Sequence, residues 1–342
     1  MSSNNTEDNK GGEGEMTSSK VKGCTSCDQN SVDTITKGIS NIAILNDMST
    51  CACCGKEGNS DDMNTCNKCQ LVKYCNAACK KKHRSKHKKA CERRMAELHE
   101  EQLFKEVEPE DCPICFQPMP IDAGQTSFMI CCGKDVCNGC IYDMEMSKEG
   151  KNKKGLLLCP YCRTPKAKNG QENIIRTQKL MEKGNAQGFN MLAGYYKQGK
   201  YGLPQDYQKT NELLLKAGEL GYSGAYSNLG NSYHFGEGVE IDLKKAKYYY
   251  ELAAVDGDTN ARYNLGCIEG ESGNVLRAYK YYMIAAKAGD KDAIDGVKEG
   301  YMNAAVTKNE YANTLRAYHE RQKEMKSDSR DEAAAIAMMG LW

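Results

Sequence analysis

Residues 225–257 read AYSNLGNSYHFGEGVEIDLKKAKYYYELAAVDG, and the stretches on either side repeat the design. GFNMLAGYYKQG comes before it and ARYNLGCIEG after it. Leu192, Leu229 and Leu265 recur at separations of 37 and 36 residues, and Tyr196/Tyr233 and Gly199/Gly236 at 37. The second halves are DYQKTNELLLKAGELG, DLKKAKYYYELAAVDG and LRAYKYYMIAAKAG. Each closes on a glycine (Gly221, Gly257, Gly289), the residue that best ends a helix. Such a period marks stacked helix pairs. One pair cannot bury its own face, so at least three must stack into a solenoid. Ala and Gly within the helices permit close approach, and tyrosines and leucines fill the space between pairs. Residues 171–184 read as the second half of an incomplete leading repeat. Residues 293–325 read as a degenerate closing pair. The predicted α-solenoid therefore spans 171–325.

Moving toward the N-terminus, the composition changes. Seventeen of the 20 tyrosines lie in 174–320, whereas 18 of the 19 cysteines lie between Cys24 and Cys162, with Cys267 alone beyond. Two parts of the chain are thus expected to be held by different physics. The formal net charge of +1 gives no global field that would draw nucleic acid or a membrane. The first residues, MSSNNTEDNKGGEGEM, have neither a basic nor an apolar leader character, and no run approaches the roughly 20 apolar residues of a membrane span. The expected setting is cytoplasmic or nuclear, where thiols stay reduced and paired cysteines most often bind metal.

Residues 1–48 are rich in Ser, Asn, Gly, Asp and Glu and are expected to be a disordered arm. Residues 92–107 place Met95, Leu98, Leu103 and Val107 among charges, which predicts an amphipathic linker helix stopped by Pro109. Residues 326–342 form a tail ending in the only tryptophan, either docked on the last helix pair or free as a recognition motif.

The first cysteine cluster, residues 51–91, runs Cys51-x2-Cys54-x11-Cys66-x2-Cys69-x5-Cys75-x3-Cys79-x7-His87-x3-Cys91. Eight ligands suffice for two tetrahedral zinc ions. His87 and Cys91 are four apart, so a helix puts both on one face. A register using Cys53 is open but geometrically poor, and His83 competes with His87. The basic run from Lys80 to Lys89 reads as the solvated face of a ligand-bearing helix. A weaker reading is a phosphate contact, although the aromatics of single-strand binders are missing. The second cluster, residues 112–163, runs Cys112-x2-Cys115-x15-Cys131-Cys132-x4-Cys137-x2-Cys140-x18-Cys159-x2-Cys162, again eight ligands for two zinc ions. Cys24 and Cys27 form a pair with no partner pair.

The first cluster resembles the MYND zinc finger, whose pattern C-x2-C, C-x2-C, [YF]-C-x3-C, H-x3-C is met in order with Tyr74 before Cys75. The resemblance implies cross-bracing: Cys51, Cys54, Cys75 and Cys79 on one zinc, and Cys66, Cys69, His87 and Cys91 on the other. It also implies a module that binds protein segments. Arg84 stands where that family usually has an aromatic residue.

The second cluster, with CPIC and CPYC, resembles a RING finger. Lys134 replaces the usual histidine, and the extra Cys131 repairs the set. The implied sites are Cys112, Cys115, Cys137 and Cys140 on one zinc, and Cys131, Cys132, Cys159 and Cys162 on the other. The placing of adjacent Cys131 and Cys132 on one metal stays open, because it requires a strained turn. RING fingers act as ubiquitin ligases without a catalytic nucleophile, by positioning a ubiquitin-conjugating enzyme. By that resemblance Ile114 and Pro160 would dock the enzyme and Arg163 would contact ubiquitin.

The helical part is similar to Sel-one-like repeats, which implies adaptor scaffolding on a protein-binding face. The expected fold is mainly α: two small cross-braced zinc fingers followed by an α-solenoid of helix pairs, after a disordered arm. The expected function is a zinc-binding protein–protein interaction adaptor, for which a RING-type ubiquitin ligase and a non-catalytic scaffold are the two readings and nucleic-acid association through the basic run at 80–89 a weaker third. Its partners are proteins; nucleic acid and membranes are not expected.

Overall fold

The computed structural model describes residues 50–57, 63–152 and 155–340. The expectations for the arm, for Cys24 and Cys27, and for Trp342 fall outside the described residues. The protein is mostly helical and divides into two compact units between Arg94 and Met95. No helix among the described residues is long and apolar enough to cross a membrane.

The first unit contains a two-stranded ribbon, β1 (Asn64–Thr65) antiparallel to β2 (Lys73–Tyr74), and the start of helix α1 (Ala77–Leu103). Its core is small: Cys51, Cys66, Cys69, Cys91 and the ring of Tyr74. So little apolar surface cannot hold a fold without a crosslink or a metal. The Asn76 side chain accepts a hydrogen bond from the Cys79 nitrogen at 2.8 Å and so caps the first turn of α1. Lys81, Lys82, Arg84, Lys86, Lys88 and Lys89 are all exposed on α1, as a solvated face requires.

Helix α1 differs from the expected separate linker helix at 92–107. No breaker separates Cys91 from Glu92, so one helix runs from the finger to Leu103. It ends there, before Pro109, because Leu103 and Phe104 turn into the core of the helical repeats.

The second unit opens with a hairpin, β3 (Thr126–Met129) against β4 (Lys134–Cys137), followed by α2 (Asn138–Met146). The solenoid then runs α3 (Gly170–Glu182), α4 (Ala186–Gln198), α5 (Tyr207–Glu219), α6 (Ser223–Phe235), α7 (Leu243–Val255), α8 (Thr259–Glu271), α9 (Val275–Lys287), α10 (Lys291–Met302) and α11 (Lys308–Met325). Aspartates begin many of these helices: the side chains of Asp206, Asp242, Asp258 and Asp290 accept hydrogen bonds from first-turn backbone nitrogens. Gly199 and Gly236 end α4 and α6 in the left-handed conformation.

Tyrosine rings seat on glycines of facing helices. A Cβ added at Gly230 would lie 2.5 Å from the Tyr250 ring, and Gly218, Gly266 and Gly300 are covered in the same way by Tyr226, Tyr282 and Tyr279. Among the solenoid tyrosines only Tyr195, Tyr250 and Tyr281 are buried, and most others are half-buried. The phenol hydroxyl explains this, because the ring packs while the oxygen keeps a polar partner or water. Cys267 is half-buried, with the Tyr282 hydroxyl 3.5 Å from its sulfur.

Two further features depart from the sequence reading. The second cysteine cluster shares one compact unit with the solenoid, although the two were expected to be held by different physics. Within the tail, Asp328–Met338 forms helix α12, which packs on α2 rather than on the last helix pair. Ser327 caps it through its side chain, which accepts from the Arg330 nitrogen.

Candidate metal centres

Four C-x2-C pairs close through the same backbone turn, whereas in Cys137-x2-Cys140 the second cysteine sits inside α2. The residue after the second cysteine is left-handed, at φ +73° for Gly55, +56° for Gln70, +56° for Phe116 and +59° for Arg163. Its nitrogen donates 2.9 Å to the carbonyl of the first cysteine in every case: Gly55 to Cys51, Gln70 to Cys66, Phe116 to Cys112 and Arg163 to Cys159. Both sulfurs then lie on the same side of the turn. Only Gly55 signals this in the sequence. The other three carry a Cβ in a region that costs about 1–2 kcal/mol, so something must hold them there.

The four pairs, with Cys75, Cys79, His87, Cys91, Cys131, Cys132, Cys137 and Cys140, converge into four groups. These are Cys51, Cys54, Cys75 and Cys79; Cys66, Cys69, His87 and Cys91; Cys112, Cys115, Cys137 and Cys140; and Cys131, Cys132, Cys159 and Cys162. Within each group all ligand atoms lie within 4.8 Å of one another. Sulfur–sulfur distances include 3.7 Å for Cys54–Cys75, 3.8 Å for Cys66–Cys91, 3.8 Å for Cys115–Cys137 and 4.0 Å for Cys132–Cys159. A tetrahedron with Zn–S bonds of about 2.3 Å has edges of about 3.8 Å. Disulfides need sulfurs about 2.05 Å apart, and these cysteines are free. The clusters therefore point to zinc.

The elements explain how each ligand arrives. Cys75 follows β2, Cys79 lies in the first turn of α1, and His87 and Cys91 share a face of α1, with Nε2 of His87 3.2 Å from Cys69 Sγ. His83 stands outside the group. Its Nδ1 is 3.3 Å from the Tyr74 hydroxyl and its ring stacks 6.0 Å from that of His87. Cys53 also lies outside the groups of four. In the second finger Cys137 ends β4 and Cys140 sits in α2. Adjacent Cys131 and Cys132 lie in the β3–β4 turn, where Gly133 takes φ +71°. The glycine absorbs the strain, and both thiols reach one group.

The thiols influence one another strongly. Burial, then the neighbouring Cys69 and Cys66, push the Cys91 thiol up to about 11. Burial, then Cys159 and Cys162, push Cys132 up to about 12. A backbone hydrogen bond at Cys75 leads the interactions that draw Cys51 down to about 6. Four crowded thiols do not ionise together unaided, whereas a divalent cation makes thiolate the stable form.

The remaining residues singled out in the sequence lie in the second finger. Ile114 is half-buried against Cys112, Val136, Cys137 and Cys140. Pro160 is half-buried within the last knuckle. Arg163 is exposed, yet its Nη1 lies 3.1 Å from Met144 Sδ and 3.5 Å from the Glu149 carbonyl, against its own finger.

The structure adds residues the sequence reading missed. Arg330 reaches Cys115 from the tail, its Nη2 3.4 Å from Sγ. Buried Arg262 donates 2.7 Å to the Lys105 carbonyl, and Arg277 donates 2.6 Å to Glu100 while its Nε pairs with buried Glu269 at 3.2 Å. Residues 100–105 thus lie along the solenoid. The signal was present: an arginine or glutamate on the apolar face of a repeat helix needs a partner from elsewhere in the chain.

Family models match two parts of the chain. The family model described as MYND finger matches residues 51–91. The Sel1 repeat model matches residues 190–222, 223–258 and 259–290. No curated protein matches the chain. Among solved structures, a Sel1 repeat protein from Oxalobacter formigenes is similar at 24% identity, with 44% of this chain and 64% of that chain covered and a TM-score of 0.39. The protective antigen c5321 of uropathogenic Escherichia coli strains, which displays an SLR fold, is similar at 22% identity, with 51% and 41% covered and a TM-score of 0.37. The chain thus spans less than two thirds of either structure's length. A MYND finger followed by Sel1 repeats supports a zinc-binding adaptor for protein–protein interaction.

Proposed function

We propose that this adaptor, built from a MYND finger and three Sel1 repeats, holds four zinc ions and uses its second finger to recruit a ubiquitin-conjugating enzyme to a protein bound elsewhere on the chain. The observation that carries the reading is the second pair of thiol groups. Cys112 and Cys115 join Cys137 and Cys140, while Cys131 and Cys132 join Cys159 and Cys162. The pairs alternate along the chain, the same cross-brace that the first finger shows. Zinc in such closed four-ligand sites is structural and supplies folding energy. The chain's own residues do the recognition. Ile114 and Pro160 present partly exposed apolar surface, and Phe116 at 77% exposure and Tyr161 at 47% widen it. Fifteen cysteine ligands that must stay reduced make the cytoplasm or nucleus the proposed setting.

On the solenoid, Tyr263, Tyr279 and Tyr282 share a cleft of about 550 Å³ with Asp292, Asp295 and Glu299. Aromatic faces beside carboxylates suit a basic segment of the recruited protein.

A second reading has one observation in its favour. The Arg163 guanidinium rests on Met144 and the Glu149 carbonyl, which leaves it less available to a ubiquitin and favours a scaffold without ligase activity. Autoubiquitination of the full chain across a panel of conjugating enzymes separates the two. The proposal expects zinc-dependent product with at least one enzyme, abolished by Ile114→Ala. No product with any enzyme leaves the scaffold.

A further inference from the structure

Helix α12 approaches α2 closely enough that a Cβ added at Gly139 would lie 2.8 Å from Arg330 Cγ and 2.9 Å from its backbone nitrogen. Ala333, at 1% exposure, is an ordinary apolar contact for such a helix, but Arg330, at 5% exposure, is not. A guanidinium keeps its charge in any protein environment, and burying it without an opposite charge is costly. Its Nη1 donates 2.8 Å to the Pro118 carbonyl and 2.6 Å to the Met325 carbonyl. Its Nη2 donates 3.4 Å to Cys115 Sγ and lies 3.5 Å from the Gln117 carbonyl. Nε is buried without a partner. Among the described residues no carboxylate pairs with Arg330. Carbonyls supply dipoles but no counter-charge. The available counter-charge is the group Cys112, Cys115, Cys137 and Cys140, which stays net anionic after four thiolates bind one divalent cation.

We infer that Arg330 is a positioning residue of this centre, holding the Cys115 thiolate from the last helix, so that metal retention and docking of α12 are one linked equilibrium. The inference rests on the zinc reading given above. Zinc fixes Cys115 as thiolate, and the thiolate gives the buried guanidinium its counter-ion. Loss of the metal frees the knuckle that carries Cys115, Gln117 and Pro118, and with it the groups that hold the buried guanidinium. Linkage is reciprocal, so whatever undocks α12 must weaken the metal by the same factor.

The test uses the full zinc-loaded chain. Zinc is titrated away with a chromophoric chelator, and amide exchange is followed over 326–340. Arg330→Gln keeps hydrogen-bond donors and removes the charge. It should weaken one zinc equivalent about 10-fold, the lower end of outer-partner effects on metal affinity, and leave the others unchanged. Arg330→Lys restores the charge and should recover part of that loss. Gly139→Ala, which forces the helix off, should weaken the same equivalent. Both Arg330→Gln and Gly139→Ala should speed exchange over 326–340. In cobalt-loaded protein, Arg330→Gln should also shift the thiolate-to-cobalt charge-transfer band. Faster exchange with every zinc equivalent as tight as in the parent would make α12 a structural clamp and overturn the inference, as would no change in either readout. A parent chain that binds no zinc would overturn the zinc reading along with it.

Discussion

The ring of Phe104 lies 4.6 Å from the ring of Tyr281, with the Arg277 guanidinium 5.4 Å above the Phe104 ring. Beside it Leu103 is fully buried among Ala246, Tyr250, Ala253 and Leu265. Residues between the two fingers are therefore part of the solenoid core, and His99–Glu251, Lys287–Glu106 and Arg321–Glu108 extend the contact along the repeats.

Leu103→Ala should destabilise the full chain by about 3 kcal/mol, the middle of the range for such truncations, and Phe104→Ala by a similar amount. Chemical denaturation followed by circular dichroism measures both. A flexible linker at this position would give changes below about 0.5 kcal/mol.

Gly230→Ala should cost about 1–3 kcal/mol, because its new Cβ meets the Tyr250 ring at 2.5 Å. Gly194→Ala is the control. It sits inside α4 with nothing within 4 Å of a Cβ, and it should stabilise by about 0.5–1 kcal/mol through helix propensity. Opposite signs at two helical glycines, read by thermal unfolding, would show that tyrosine seating rather than composition sets the repeat spacing.

Gln70→Gly should stabilise the first finger by about 1 kcal/mol, since Gln70 holds φ +56° in the second knuckle. The expected readout is a higher chelator concentration at half-loss of folded signal. A lower one would mean that the Gln70 side chain contributes more than its backbone strain removes.

Much of this was legible in the sequence, for reasons that differ by element. The solenoid was legible because Leu192, Leu229 and Leu265 keep a period that only stacked helix pairs explain. The ligand groups were legible because metal chemistry fixes both residue type and spacing, and alternation of the pairs follows from the family pattern. The Cys131–Cys132 turn looked strained only because the relief supplied by Gly133 depends on the register of the hairpin. Helix α1 was cut in two because composition changes at Cys91 while helical propensity does not. The partners of Arg262, Arg277 and Arg330 lie 157, 177 and 215 residues away, and no local pattern encodes such contacts. What the sequence did carry was the anomaly itself, a charge on an apolar helix face.

Four ligand groups stand in the fingers where a hydrophobic core is too small to hold the fold. Structural zinc contributes about 10–16 kcal/mol of apparent binding energy in small fingers, enough to hold the three strained knuckles closed. Native mass spectrometry of the full chain, purified under reducing conditions, counts the ions directly. The account predicts four zinc ions per chain, one for each ligand group. A chain that holds two, or that remains folded through both fingers with none, would contradict it.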